Sequence, residues 1–293
     1  MAEPEQPPKK WGKTSADFAQ RAAENRVRHQ DGGGVGDALA VDATRVVKTG
    51  RISWRPGAIN FELIKPSSVE RSIFRFEKSL PLLVWNAAAL EGNTFTLPQV
   101  QTLLDGVTVG GKKIEEAEQI LALKEGMEIM ITAVRDDSFS LSKEMSDRIH
   151  AVVAQHEAIE SGHFRGEGAV RGGGAVLLAG GGAVDGDPAG EAGELLQADY
   201  TNLTADLGTL DDPRARALAY FTSATRSQFY FDGNKRTARI MMTGALIQSG
   251  FEPLNVPYAR QEEFNVALDE LFRTDVGTTL IEFLTTCTMQ DES

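Results

Sequence analysis

Residues 227–239 read SQFYFDGNKRTAR, and the interpretation of the whole chain starts from this stretch. Asp232, Gly233 and Asn234 form a turn signal, and a helical pattern begins directly after them. The first N–H groups of a helix have no partner within the helix, and they carry the positive end of its dipole. Gly233 also lets a ligand approach the backbone closely. The stretch therefore predicts a helix N-terminus that is offered to an anion.

Three cations stand at the start of that helix, namely Lys235, Arg236 and Arg239. A cation at a helix N-terminus is unfavourable by up to about 1 kcal/mol, whereas a bound polyphosphate would reverse the sign. Asp232 lies beside that position and is placed to hold Mg²⁺, which prefers carboxylate oxygens together with substrate phosphates. On spacing alone, an ordinary surface helix whose basic end meets solvent or a carboxylate is an equal alternative. The GGKK at 110–113 lacks the spacing and the Ser/Thr of a P-loop.

Composition argues against several other classes of protein. The net charge of −12 disfavours a general nucleic-acid binder, which relies on basic contacts to phosphates. No run approaches the ~20 apolar residues of a membrane span, and the first residues lack the apolar core of a signal peptide, so we expect a cytoplasmic protein outside the membrane. The single cysteine, Cys287, excludes an internal disulfide. The four histidines show no metal-ligand spacing.

The remainder of the chain is mostly helical in pattern. We predict a poorly ordered extension over residues 1–48, an N-terminal arm with helices over 49–140, and a core over 141–288. The alternating residues around 51–64 indicate a short hairpin or extended arm. Residues 165–194 hold eleven of the 29 glycines. A flexible surface loop is the favoured interpretation there, and a mobile hairpin beside the active site is the alternative.

Two segments carry a resemblance to a known family. Residues 228–239, QFYFDGNKRTAR, resemble the signature HxFx(D/E)GN(G/K)RxxR of the Fic/Doc (Fido) family. Residues 85–106, WNAAALEGNTFTLPQVQTLLDG, resemble the inhibitory helix of Fic proteins that carry their inhibitor N-terminally, with the motif (S/T)xxxE(G/N). The two segments follow the order that the family requires, and the resemblance covers roughly residues 69–288.

The resemblance implies an all-α fold, a Fic-type helical bundle with a small β-hairpin flap. Family members bind ATP with Mg²⁺ and typically transfer AMP to a Ser, Thr or Tyr hydroxyl of a target protein. The site roles that it implies are Asp232 for Mg²⁺, Gly233, Asn234 and the Lys235 backbone for the anion cradle, and Arg236 and Arg239 for the outer phosphates. Phe264 and Asn265 fall near the family's adenine contacts, although ordinary packing is favoured for Phe264.

The resemblance also implies regulation and a partner. Glu91 matches the inhibitory glutamate that would pair with Arg239 and displace the γ-phosphate, since a carboxylate and a phosphate compete for one guanidinium. The Gly-rich segment falls where the family has the flap that positions a protein target, with 175–179 as its strand. A homodimer is compatible with the sequence.

Three positions depart from the family pattern. Ala87 replaces the Ser/Thr of the inhibitory motif, and Tyr230 replaces the Phe of the signature. Gln228 stands where the catalytic histidine belongs, and an amide has no usable basicity near neutral pH. Losing a general base typically lowers a rate by ~10²–10⁴. His156 or His163 could approach in space to substitute for it.

The sequence thus leaves three functions open. The first is an ATP/Mg²⁺-binding protein with weak or altered adenylyltransferase activity, autoinhibited by Glu91. The second is a catalytically inactive nucleotide sensor or docking module that uses the same pocket. The third is a phosphotransferase like the Doc branch, which shares the GNK variant at Lys235.

Overall fold

Ten α-helices and two β-hairpins build residues 45–289, the part of the chain that the computed structural model describes. The helices are α1 (Val69–Lys78), α2 (Leu80–Ala89), α3 (Leu97–Leu104), α4 (Ile114–Arg135), α5 (Lys143–Val153), α6 (Glu194–Gly208), α7 (Pro213–Ser227), α8 (Asn234–Gln248), α9 (Gln261–Thr274) and α10 (Thr278–Thr285). The predicted helical bundle with a small hairpin is confirmed. The predicted extension lies outside the described residues as far as residue 44, and the division of the chain at residue 140 stays a prediction.

Both hairpins are antiparallel and short. Strands β1 (Val47–Thr49) and β2 (Ile52–Trp54) pair in the arm, as the alternating pattern predicts. Strands β3 (Ala175–Leu177) and β4 (Ala183–Asp185) pair inside the Gly-rich segment, with Val176 opposite Val184. We call residues 173–187 the flap. The segment is therefore a hairpin rather than an irregular loop.

Helices begin where the sequence places capping residues. The Ser68 hydroxyl accepts a hydrogen bond from the Arg71 N–H at 3.2 Å, and the Asp212 carboxylate accepts one from the Arg214 N–H at 2.8 Å. Such side chains satisfy N–H groups that the helix itself leaves unpaired. Helix α2 is followed by Gly92 at φ +89°, a left-handed conformation that favours glycine at a helix C-terminus. Local chemistry therefore sets these boundaries.

Helices α7 and α8 lie at the centre of the core. Helices α4 and α5 pack against α8, and α6, α9 and α10 pack against α7. The packing of α4 on α5 is close at Gly126, where a Cβ would lie 2.3 Å from a methyl carbon of Val153. The turn between α7 and α8 is consequently held on both sides by the core. Separately, among the described residues, no helix is both long and apolar enough to cross a membrane.

A buried histidine fixes that turn against α5. The Nδ1 atom of His150 accepts the Gly162 N–H at 2.8 Å, so Nε2 carries the proton and donates to the Asp232 carbonyl oxygen at 2.8 Å. The ring also stacks on Tyr230 with centroids 3.7 Å apart. Burial lowers the pKa of His150 from 6.5 to about 4, against the hydrogen bond to Asp232. The folded protein therefore keeps this imidazole neutral.

We predict that His150 makes the fold sensitive to acid. Between pH 6.5 and about 4 the unfolded chain binds a proton that the folded protein excludes, so the free energy of unfolding falls as pH falls through this window. The loss amounts to roughly 3 kcal/mol at about 1.4 kcal/mol per pKa unit. Urea unfolding of His150→Gln should show a shallower dependence on pH than the wild type. An unchanged slope in His150→Gln would contradict the assignment.

Candidate functional site

A cleft of about 460 Å³ opens at the N-terminus of α8. It brings together most of the site residues predicted from sequence, together with the flap and one face of α9. The lining comprises Gln228 and Phe231 to Arg236, Leu90 and Glu91 after α2, residues 175–179 of the flap, and Asn265, Leu268, Asp269 and Phe272 of α9. Arg239 is the one predicted site residue that does not line it. Leu268, Asp269 and Phe272 carry no sequence motif and were not predicted.

The turn before α8 can only be made with glycine. Gly233 has φ +71°, and a Cβ there would lie 2.8 Å from the Cβ of Ala154. The first backbone bond of the helix runs from the Thr237 N–H to the Gly233 carbonyl oxygen at 2.9 Å. The N–H groups of residues 234–236 therefore precede the helical ladder and have no partner within it. This is the geometry that binds an anion at a helix N-terminus.

The side chain of Asn234 closes the turn. Its Oδ1 accepts the Tyr230 N–H at 2.9 Å, while Nδ2 donates to the Tyr230 carbonyl oxygen at 2.8 Å and to Gln228 Oε1 at 3.0 Å. Because its side-chain amide is fully used in these bonds, Asn234 can offer an anion only its backbone N–H. The hydroxyl of Tyr230, which a phenylalanine would lack, donates to Asp147 at 2.8 Å and fixes the same turn.

Gln228 is held at both ends of its amide. The residue adopts a left-handed conformation, φ 55° and ψ 59°, at the end of α7. Its Nε2 donates to the Thr225 carbonyl oxygen at 2.7 Å, and its Oε1 accepts from Asn234. Gly186 of the flap packs directly on it, since a Cβ on Gly186 would lie 2.6 Å from the Cβ of Gln228. A carbonyl oxygen keeps a second lone pair, so this amide can orient a hydroxyl but cannot remove its proton.

No histidine replaces the missing base within the described residues. His150, His156 and His163 all lie in that part of the chain, and none of them lines the cleft. His156 lies 3.7 Å from the carboxylate of Glu118 instead. The expectation that His156 or His163 approaches the site is therefore wrong for this conformation.

Glu91 reaches the cations of α8, but its ion-pair partner is Lys235. The Oε2 atom lies 3.0 Å from Lys235 Nζ. Burial opposes ionisation of this carboxyl, yet the positive charges of Lys235, Arg239 and Arg236 prevail and lower its pKa. The expected direct pair with Arg239 is wrong, because sequence order puts Glu91 near the helix start without saying which cation is nearest.

Arg239 is buried without hydrogen bonds. None of its three guanidinium nitrogens finds a partner among residues 45–289, and neither does the other oxygen of Glu91. The guanidinium lies over the ring of Phe264 at 5.8 Å. Burial lowers the pKa of Arg239, with the charge of Glu91 opposing that shift. A buried charge without hydrogen bonds is costly, so Arg239 is poised for an anion.

Arg236 is paired with a residue that sequence reasoning missed. Glu157 accepts from Arg236 Nη1 at 2.9 Å and, through its other oxygen, from Nη2. The Nη2 atom also lies 3.5 Å from an oxygen of Asp232. Burial lowers the pKa of Arg236, but Glu157 outweighs it and the pKa is raised. Glu157 follows α5 in an unremarkable polar stretch, so no motif marks it.

The flap is fastened at its root and at its tip. The buried guanidinium of Arg165 donates to three carbonyl oxygens, those of Gln228 at 2.7 Å, Gly173 at 2.9 Å and Asp187 at 2.6 Å. At the tip, Asp269 of α9 accepts the N–H groups of Ala179 at 3.1 Å and Gly180 at 2.6 Å. The flap therefore spans the cleft from the end of α7 to α9. Neither anchor has a sequence signal.

The two candidate adenine residues differ in environment. Phe264 is buried and stacks between Phe221 and Phe283, with centroids 6.4 and 5.8 Å away, as the packing interpretation predicts. Asn265, the next residue on α9, lines the cleft. Only Asn265 is therefore placed to contact a ligand there.

The site fits a metal that arrives with phosphates. Within residues 45–289, no group of three or more His, Cys, Asp or Glu side chains could hold a metal by itself. Asp232 offers a carboxylate at the cleft whose side chain is 61% exposed. Mg²⁺ is commonly bound by one or two carboxylates together with substrate phosphates, and this donor set suits that mode.

Comparison with known proteins gives sequence relatives of one kind. No family model matches the chain. It is 26% identical over 207 residues to a protein named "Protein adenylyltransferase Fic" from Drosophila erecta, and 26% identical over 208 residues to one of the same name from Culex quinquefasciatus. Each alignment covers 70% of this chain and 39% of the relative, so the chain spans about two fifths of the curated relatives.

Solved structures share the fold. A Fic-domain signalling protein from Bacteroides thetaiotaomicron superposes with a TM-score of 0.60 at 21% identity, covering 78% of this chain and 88% of that protein. Fic-1 from C. elegans gives 0.58 at 22% identity and covers 78% and 64%. These structures show the fold of a Fic domain, and the curated relatives, together with a signature whose residues meet in one cleft, support the predicted resemblance to the Fic/Fido family.

Proposed function

We propose that this chain binds Mg-ATP in the cleft and transfers AMP weakly to a hydroxyl of a protein, with Glu91 holding the site in check. The observation that carries the proposal is the position of Glu91. Its carboxylate interacts electrostatically with Lys235, Arg236 and Arg239. Without this carboxylate, these cations and the helix N-terminus would attract an external anion. The curated relatives are named protein adenylyltransferases, which supports the reaction class.

In this proposal the N-terminus of α8 binds the phosphates. The free N–H groups of residues 234–236 donate to phosphate oxygens, and Arg239 takes the terminal phosphate once Glu91 withdraws. Asp232 would hold Mg²⁺, which supplies positive charge against the phosphates. The target hydroxyl oxygen attacks the α-phosphorus, and the bond to pyrophosphate breaks. Gln228 orients that hydroxyl but takes no proton, so the proton passes to solvent water and the step is slow.

The target would be a protein that meets the flap. Leu177 of β3 is 84% exposed, although leucine is ordinarily buried. This strand borders the cleft next to Gln228, so a segment that contacts it brings its hydroxyl towards the phosphates. A protein target, a homodimer and a cytoplasmic location stay predictions.

A second function is favoured by the hydrogen bonds of Gln228. Both ends of its amide serve the turn, through Thr225 and Asn234, as those of a purely structural residue would. The phosphate half of the site needs no titratable group at that position. The chain would then be a nucleotide sensor that changes conformation on binding and transfers nothing.

We predict that removing the Glu91 carboxylate exposes the phosphate site. Glu91→Gly should bind Mg-ATP at least about tenfold more tightly than the wild type in isothermal titration calorimetry, because Lys235 and Arg239 lose the competing anion. Glu115→Gly, on the exposed start of α4, should bind as the wild type does. Adenosine should show no such gain. If neither wild type nor Glu91→Gly binds ATP in a magnesium-dependent way, the proposed function is wrong.

We also predict that a base at position 228 restores transfer. Gln228→His combined with Glu91→Gly should incorporate α-labelled phosphate into protein about 10²–10⁴ times faster than Glu91→Gly alone. Gln228→Asn in the same background should show no gain. Absence of label in every variant, with Mg-ATP binding intact, would favour the sensor. Incorporation of γ-label instead would identify a phosphotransferase.

A further inference from the structure

Arg236 has a carboxylate partner that lies outside both sequence motifs. We propose that Glu157 sets the nucleotide affinity of this site, by occupying the guanidinium of Arg236 and by acting in concert with Glu91. The inference rests on the proposed binding of Mg-ATP. It assigns to Glu157 a role that neither the signature nor the inhibitory motif contains.

The geometry commits both terminal nitrogens of Arg236 to carboxylates. Both terminal nitrogens of this guanidinium meet the two oxygens of Glu157, and Nη2 is also next to Asp232. The Arg236 side chain is only 3% exposed. A phosphate prefers the same two-pronged contact, so the carboxylate and the phosphate compete for one donor set.

The charges around the start of α8 cancel. The cations are Lys235, Arg236 and Arg239, and the carboxylates near them are Glu91, Glu157 and Asp232. A triphosphate brought to this neutral group would gain little from long-range attraction. Neutralising Glu157 leaves an uncompensated positive charge in a poorly exposed place, where charge interactions are screened less.

A chain of hydrogen bonds joins the Glu157 carboxylate to the turn that carries Glu91. Asn93, two residues after Glu91, donates through Nδ2 to Gln119 Oε1 at 2.8 Å. Gln119 on α4 donates through Nε2 to Glu157 Oε1 at 3.0 Å. Movement of the turn that carries Glu91 therefore alters the support of Glu157, which predicts energetic coupling between them.

Glu157 lies in a turn after a helix and is more exposed than the arginine that it holds. Helix α5 ends at Val153, so Glu157 lies beyond the helical ladder. Its side chain is 27% exposed, against 3% for Arg236. Breaking a buried pair outright is costly because it leaves a bare charge, but exchanging the carboxylate for a phosphate leaves Arg236 paired throughout.

The test compares Mg-ATP affinity by isothermal titration calorimetry in the full chain. Glu157→Gln should bind on the order of tenfold more tightly than the wild type, the low end of what close charge pairs contribute at binding sites. Glu118→Gln is the matched control, because it makes the same charge change on α4 and its carboxylate lies near His156, with unchanged affinity expected. Gln119→Leu removes a hydrogen bond to Glu157 at a distance from the cations, and it should also tighten binding.

The outcomes separate the inference from the function on which it rests. If Glu91→Gln binds Mg-ATP more tightly while Glu157→Gln is unchanged or weaker, Glu157 only positions Arg236 and the inference is wrong. The double variant Glu91→Gln with Glu157→Gln should gain less affinity for Mg-ATP than the product of the two single gains. If the two gains multiply fully, the two carboxylates do not act in concert. If Glu157→Gln fails to fold, Gln119→Leu decides by the same criterion. Absence of binding in all variants would overturn the proposed function itself.

Discussion

The constraint behind this structure is that positive side chains are gathered at the positive end of a helix dipole and then largely buried. Lys235, Arg236 and Arg239 would repel one another and the start of α8 unless anions lay among them. The protein supplies carboxylates from two distant segments, Glu91 after α2 and Glu157 after α5. The position of the first helices relative to α8 thus has an electrostatic reason as well as an apolar one.

Because the anions come from separate elements, exchanging them for a ligand must involve those elements. Lys235 is paired with Glu91, and Arg236 with Glu157 and Asp232, whereas Arg239 stays without a hydrogen bond among the described residues. The cost of that buried guanidinium is carried by the surrounding fold. In the proposed function that cost is recovered when an anion reaches Arg239. The proposed binding at this helix would therefore involve the turn after α2 that carries Glu91.

Much of this arrangement was predictable, since turn chemistry, capping residues and the Gly233 turn are local properties. The helix starts at Ser68 and Asp212, the hairpin in the arm and the residues of the cleft from 232 to 236 follow from sequence. The anchors were not predictable: Arg165, Glu157 and Asp269 act on backbone or side chains far along the chain, and only tertiary packing brings them there. The predicted Glu91–Arg239 pair was wrong for the same reason. Lys235, Arg236 and Arg239 are all cations near the helix start, and only tertiary packing decides which of them lies nearest to Glu91.

Position 228 can serve two purposes, completing the turn before α8 and supplying a base, and Gln228 can serve only the first. Its amide satisfies Thr225 and Asn234, so the turn that carries the phosphate site is complete without a titratable group at this position. The fold thus places no demand for a base there, and neither does anion binding, which rests on backbone N–H groups and on the cations of α8. Only the removal of a proton from a hydroxyl requires one. The proposed exchange of carboxylates for a nucleotide therefore needs no base at position 228, and the proposed loss at that position affects transfer alone.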